Sequence, residues 1–314
     1  MGSPAGTAPL SGAGLEGGEI VAGPQRREWP LAVLMLAPSL VVFGVFVFYP
    51  LGRTIWLGTR RQDPFGLSSR GVGLDQYIDV FQSDSFRNSL EVTGKFVALT
   101  VPLGLVLGLA LAVLANQRLR GITFFRTVFS STVATSVAVA SLMWLTLFNP
   151  SIGVVNHFLD SIGREPVLWL QDPDTALIAV SLTTVWQNLG VTFIVMIAGL
   201  QSVPDELYES ARIDGAGGWR QFTEITLPML SPTILFASVV LMINAFQSFG
   251  QIDLLTQGGP FDETNVIVYS IFREAFSNRD PGVAAAQAVV LFGIVLALTV
   301  VQFRVLERRV FYGN

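Results

Sequence analysis

The chain has 314 residues, of which 51% are hydrophobic and only 13% charged, with a net charge of −4. A soluble globule of this length carries a far more charged surface. There is no basic patch for nucleic acid. The absence of cysteine excludes disulfides, cysteine-ligated metals and thiol catalysis, and one histidine, His157, cannot build a metal cluster.

Residues 1–28 come first. Their opening stretch, MGSPAGTAPLSGAGLEGGEIVAGPQ, has little to pack and reads as a disordered cytoplasmic tail. It is not a cleaved signal, because Arg26 and Arg27 precede the first apolar run and no small-residue cleavage pattern ends that run. Six apolar runs follow, at about 31–50, 93–115, 128–148, 177–200, 233–250 and 283–305, each long enough to cross a bilayer. Pro38 and Pro102 fall inside the first two, where they kink a helix. No alternating ten-residue segments support a β-barrel. The expected fold class is therefore all-α: a polytopic membrane protein with six transmembrane helices, its membrane domain spanning residues 29–314.

Charge in the loops orients the spans. Loop 116–127 holds Arg118, Arg120 and Arg126 with no acid. Arg304, Arg308 and Arg309 lie near the chain's end, and Arg26 and Arg27 precede span one. Loops 51–92, 149–176 and 251–282 mix arginine with acids such as Asp63, Asp75, Asp160 and Asp262. The positive-inside rule then puts both termini, and loop 201–232, in the cytoplasm. His157 falls in one of the outer loops, read as polar and irregular.

Between spans four and five lies ELYESARIDGAGGWRQFTEITLPML, residues 206–230, with six charges in an otherwise oily chain. Pro204 suits a first helical position, and Asp205 and Glu206 complement the helix dipole. Leu207 and Ala211 share a face. Gly215 can end this helix in a left-handed conformation. Trp219, Phe222 and Ile225 then repeat at three-residue spacing, predicting a second amphipathic helix. A connector resting on lipid headgroups favours lysine and arginine. Here acids dominate, so a protein partner fits better.

The pattern Glu209–Ser210–Ala211, Asp214–Gly215–Ala216, then Leu227 and Pro228 resembles the "EAA" signature of permease subunits of binding-protein-dependent ABC importers. Ser210 departs from the commoner alanine but stays small. In that family the segment, here about 201–232, is the coupling helix that docks on a cytoplasmic ATPase. The ATPase is not expected in this chain. Its one lysine, Lys95, follows Gly94, but Ser89 and Phe96 break the P-loop pattern.

Further stretches resemble the carbohydrate-uptake branch: RQDPFGLSSRGVGLDQYIDVF at 61–81, LFNPSIG at 147–153 and AFQSFGQIDLLTQGGPFDET at 245–264. With the closing TVVQFRVLERRV they look most like first permease subunits of glycerol-3-phosphate importers. The resemblance implies the type I importer fold, a bacterial inner-membrane location and a non-catalytic subunit. It implies a second homologous permease, two ATPase subunits that carry ATP and Mg, an extracytoplasmic solute-binding protein, and no cofactor on this chain. The implied substrates are glycerol-3-phosphate and glycerophosphodiesters such as glycerophosphocholine, with a di- or oligosaccharide as the alternative.

Polar residues inside spans are costly unless they face protein or water. Gln187 and Asn188 interrupt span four. Asn244 and Gln247 lie three apart in span five, and Asp253 follows near its outer end. These five are the candidate translocation path, against the blander reading of interhelical hydrogen bonding. Phe246 and Phe249 are read as packing. No cation lies deep in a span. Arg53 and Lys95 lie near outer ends, where long side chains snorkel, and steering of a phosphate is the second reading. A secondary transporter would need midplane ionisable residues, and an intramembrane enzyme paired carboxylates at depth. Neither is present in the spans.

Overall fold

The computed structural model describes residues 29–62, 69–117 and 120–307. The tail, Asp63, Arg118, Arg308 and Arg309 lie outside these residues. Two compact units are distinguished, Met1–Leu51 and Gly52–Asn314. The described part of the first is α1 (Trp29–Phe43), which passes Pro38 without ending, and a π turn at Gly44–Phe48 that leads into α2 (Tyr49–Leu57).

The second unit begins within α2, and a short antiparallel hairpin follows, β1 (Arg60–Gln62) and β2 (Ser69–Gly71), in which Arg61 faces Arg70. Then come α3 (Asp75–Gln82) and α4 (Asp84–Ala115), one helix of 32 residues through Pro102. Next are α5 (Ile122–Ser130), α6 (Val137–Leu147), α7 (Val154–Ser161) and α8 (Pro173–Gln201). The chain continues with α9 (Asp205–Ile213), α10 (Gly218–Gln221), α11 (Leu227–Met229) and α12 (Ser231–Phe246). It closes with α13 (Gly250–Leu255), α14 (Ile267–Phe272) and α15 (Pro281–Glu307).

Four helical runs are long and apolar enough to cross a membrane: Ala32–Leu57, Asp84–Ala115, Pro173–Gln201 and Pro281–Arg304. The count reaches six only if each of two bent pairs is one span. The expectation of a continuous third span therefore needs correction. Residues 122–134 and 137–147 meet at 108°. A 3₁₀ turn, Ser131–Ala134, ends in an extended Thr135, and Ser136 restarts the helix by accepting from the Val139 N–H at 3.3 Å. The cause is local. Ser130, Ser131, Thr132, Thr135 and Ser136 crowd the joint, and hydroxyls compete for the backbone. Ser130 and Ser131 donate to the Arg126 and Val128 carbonyls at 2.6 and 2.7 Å.

Span five also stops earlier than expected. Its helix ends at Phe246, and a separate short helix, α13, carries residues 250–255. Span two starts earlier, at Asp84. His157 sits on α7 rather than in an irregular loop. That helix is pinned by the buried Asn156 amide, which accepts from the Val167 N–H at 3.1 Å and the Trp169 indole at 2.8 Å and donates to the Val167 carbonyl at 2.9 Å.

The core runs between α4 and α8. A Cβ on Gly108 of α4 would lie 2.4 Å from the Thr192 side chain, so the two helices approach closely there because the residue is glycine. Phe96, Val180 and Ile252 are fully buried towards one end, and Ala112, Phe193 and Met196 towards the other. Trp144 of α6 packs on Trp186 of α8 at 6.1 Å between ring centres.

Candidate functional site: a polar cavity and a docking segment

The break in span three, the middle of α8 and the α12–α13 joint enclose a cavity of about 340 Å³. Four of the five path candidates line it: Gln187, Asn188, Asn244 and Gln247. Asp253 does not. It is half-buried on α13, and its N–H donates to the Phe249 carbonyl at 2.9 Å. Burial, and then the nearby Asp253 carboxylate, hold the Tyr269 phenol above its usual pKa, with Arg273 acting the other way.

The cavity wall is hydrogen-bonded across helices. The Asn244 amide donates to Asn188 Oδ1 at 3.1 Å, and Asn188 donates in turn to the Thr184 carbonyl at 2.9 Å. Gln251 donates to Gln187 Oε1 and accepts from the Ser248 hydroxyl at 3.1 Å. Two amide pairs thus tie α8 to α12 and to α13. No Asp, Glu, Lys, Arg or His lines the cavity among the described residues. What it offers is amide and hydroxyl groups, which donate and accept without fixing a charge. The 3₁₀ turn reaches α8 at Gly190, where a Cβ would lie 2.3 Å from Thr132 Oγ1.

Sequence reasoning missed Gln251, Ser248 and the hydroxyl-rich joint of span three. A signal existed for the first two. Asn244, Gln247 or Ser248, and Gln251 continue one spacing of three to four residues.

The segment between α8 and α12 folds as two helices around a glycine turn. Pro204 is the N-cap, with φ −60° and ψ 133°, so the expectation of a first helical position was one residue off; Asp205 and Glu206 hold the first turn. The helix ends at Ile213. Gly215 is left-handed at φ +76°. The Ala216 N–H reaches the Ala211 carbonyl at 2.8 Å, and the Gly215 N–H the Arg212 carbonyl at 3.1 Å. These are the two hydrogen bonds of a Schellman motif. The second helix runs from Gly218 to Met229 through a π turn at Phe222–Thr226. Tyr208 bonds Thr226 by their hydroxyls at 3.0 Å, and Gln221 donates to the Ala216 carbonyl at 2.7 Å, so the two helices are stapled together.

The structure sorts the candidate coupling residues by depth. Glu209, Ser210, Asp214 and Gly215 are exposed, whereas Ala211, Ala216, Leu227 and Pro228 are half-buried beneath them. Ile213, which the sequence did not single out, is 87% exposed at the end of α9.

With this geometry in hand, comparisons with known proteins place the chain. Residues 104–312 match the family described as binding-protein-dependent transport system inner membrane component. The chain is 40% identical over 285 residues to the sn-glycerol-3-phosphate transport system permease protein UgpA of Yersinia enterocolitica, covering 90% of this chain and 96% of that one. It is 40% identical over 286 residues to the UgpA of Agrobacterium fabrum, covering 90% and 97%. Among solved structures, it matches a chain of a bacterial ABC transporter involved in import of the acidic polysaccharide alginate, with TM-score 0.78, 26% identity, and 90% and 96% coverage. The same transporter in complex with an alginate pentasaccharide-bound periplasmic protein gives TM-score 0.77, also at 26% identity, with 90% and 95% coverage. The fold is that of a type I ABC importer permease, and the chain belongs to the family of inner-membrane permease components of binding-protein-dependent transport systems.

Proposed function

We propose that this chain forms half of the translocation path of an ATP-driven importer for glycerol-3-phosphate or glycerophosphodiesters, working by alternating access. The observation that carries the reading is 40% identity to glycerol-3-phosphate permeases over 90% of the chain, with an amide- and hydroxyl-lined cavity set between its spans. Glycerol hydroxyls and phosphate oxygens are hydrogen-bonding groups, and weak polar contacts suit a path that must also release its cargo. Strong recognition falls to an extracytoplasmic binding protein.

The other half of the path comes from a second homologous permease. Two ATPase subunits hold ATP and Mg in the cytoplasm, where both termini of this chain also lie. This chain does no covalent chemistry and binds no cofactor. Glu209, Ser210, Asp214 and Ile213 form the docking face, and Ala211, Ala216, Leu227 and Pro228 form its base. When the ATPases close, the stapled helix pair moves as one body and turns α12 relative to α8. The Asn188–Asn244 and Gln187–Gln251 pairs lie across that movement, so their amides exchange partners with solute as the path opens.

A saccharide importer is the second reading, favoured by the alginate transporter's likeness and by the absence of charge in the cavity. The test is ATP hydrolysis by the co-purified complex with its binding protein, titrated with glycerol-3-phosphate, glycerophosphocholine and trehalose. Stimulation by the phosphate compounds supports the proposal. Stimulation by trehalose alone overturns the substrate class.

A further inference from the structure

An apolar groove of about 570 Å³ runs between the second half of α4 and the start of α10. Val106, Ala110, Val113 and Leu114 form one wall, and Trp219 and Phe222 the other. Trp219 is 78% exposed and Val106 63%, so neither is covered by the described residues.

The medium decides what fills it. The α4 wall belongs to a helix long and apolar enough to cross a membrane, so its exposed face suits hydrocarbon. A groove with no charged side chain on its walls gives an irregular peptide no partners for its backbone groups. Val106 to Leu114 rises by about 12 Å at about 1.5 Å per residue. That line leads towards the end of α4 at Ala115, beyond which the sequence holds Arg118, Arg120 and Arg126 (the last on α5) and no acid between residues 116 and 127. Arg126 is committed, donating to the Ala115 carbonyl at 3.0 and 2.8 Å, while Arg120 is exposed. At the other wall, Arg220 and Glu224 neutralise each other at 2.9 Å. An exposed tryptophan on one wall and an exposed arginine shortly past the end of the other are residue types of a membrane interface.

We propose that this groove is a lipid site, taking an acyl chain of an anionic phospholipid whose phosphate is drawn to the Arg120 loop. The lipid fills the space between span two and the second helix of the docking segment. Bilayer composition thereby acts directly on the second helix of the docking segment.

The test uses the assembled importer in nanodiscs of zwitterionic lipid, doped with about one-tenth of either anionic or zwitterionic lipid bearing brominated acyl chains, which quench tryptophan on contact. The Trp219 signal is the difference between the unmutated protein and Trp219→Phe. The expected result is quenching severalfold stronger with the anionic brominated lipid. Ala110→Phe, at an exposed wall position, should reduce it at least threefold without changing quenching of the other tryptophans. No quenching of Trp219 would mean that protein covers the groove, whether a second permease or residues 1–28. Equal quenching by both lipids, or by Ala110→Phe, would mean ordinary bilayer contact. Either result overturns the proposal. The measurement needs neither ATP nor solute, so it stands apart from the substrate assignment.

Discussion

Gly215 and Gly217 are two residues apart in the docking segment, and the same substitution should impair one and leave the other unchanged. Gly215 is left-handed at φ +76°, and no atom would meet a Cβ placed on it. Gly217 is extended, at φ −70° and ψ 167°, caps the next helix, and is equally open. Steric clash is therefore absent at both. Gly215→Ser forces an L residue into a left-handed backbone, at a cost of about 1–2 kcal/mol. The Schellman bonds to the Ala211 and Arg212 carbonyls depend on that conformation. Gly217→Ser adopts a conformation serine prefers and adds a capping oxygen, so its cost is about zero. One to two kcal/mol shifts a local equilibrium by about 5–30-fold. The assay is solute transported per ATP hydrolysed in proteoliposomes containing the whole importer. Gly215→Ser should lower that ratio about fivefold or more while the complex still assembles, and Gly217→Ser should match the unmutated protein. Equal behaviour of the two, or an unchanged ratio for Gly215→Ser, would refute the claim that an ordered helix–turn–helix transmits force.

Other outcomes follow from the same geometry. Asn244→Leu removes the donor to Asn188 and should slow uptake about tenfold, a barrier of about 1.4 kcal/mol, with binding-protein affinity unchanged; uptake at unmutated speed would remove Asn244 from the path. Gly108→Ala places a Cβ 2.4 Å from Thr192 and should destabilise the α4–α8 contact by about 1–3 kcal/mol, seen as a lower melting temperature of the solubilised complex. Asn156→Ala deletes the amide that holds residues 149–170, at about 1 kcal/mol for each hydrogen bond lost; faster proteolysis confined to that stretch is the result to look for.

The long apolar runs made most of the bundle legible. Spans one, two, four and six needed only length and composition. The joint at Ser130–Ser136 was overlooked because its residues are small and its neighbours apolar, so an average across the window hides it. Its hydroxyls bond the backbone and break the helix, and this break forms one wall of the cavity. Asn244 and Gln247 were placed on a shared helical face; they do line one cavity, although the helix ends between them. Asp253 lies outside the cavity lining because α12 ends at Phe246 and α13 is a separate helix. Gly215 could be read from sequence because its role is conformational and local. Ile213 could not, since an apolar residue in an amphipathic helix reads as buried unless the neighbouring surface is known.

The most direct test of the account is uptake of labelled glycerol-3-phosphate by proteoliposomes holding this chain, its second permease and the ATPase subunits. Binding protein is supplied outside and ATP inside. The account predicts uptake that requires both ATP and binding protein and that ignores proton and sodium gradients. Uptake driven by an ion gradient without ATP would contradict it.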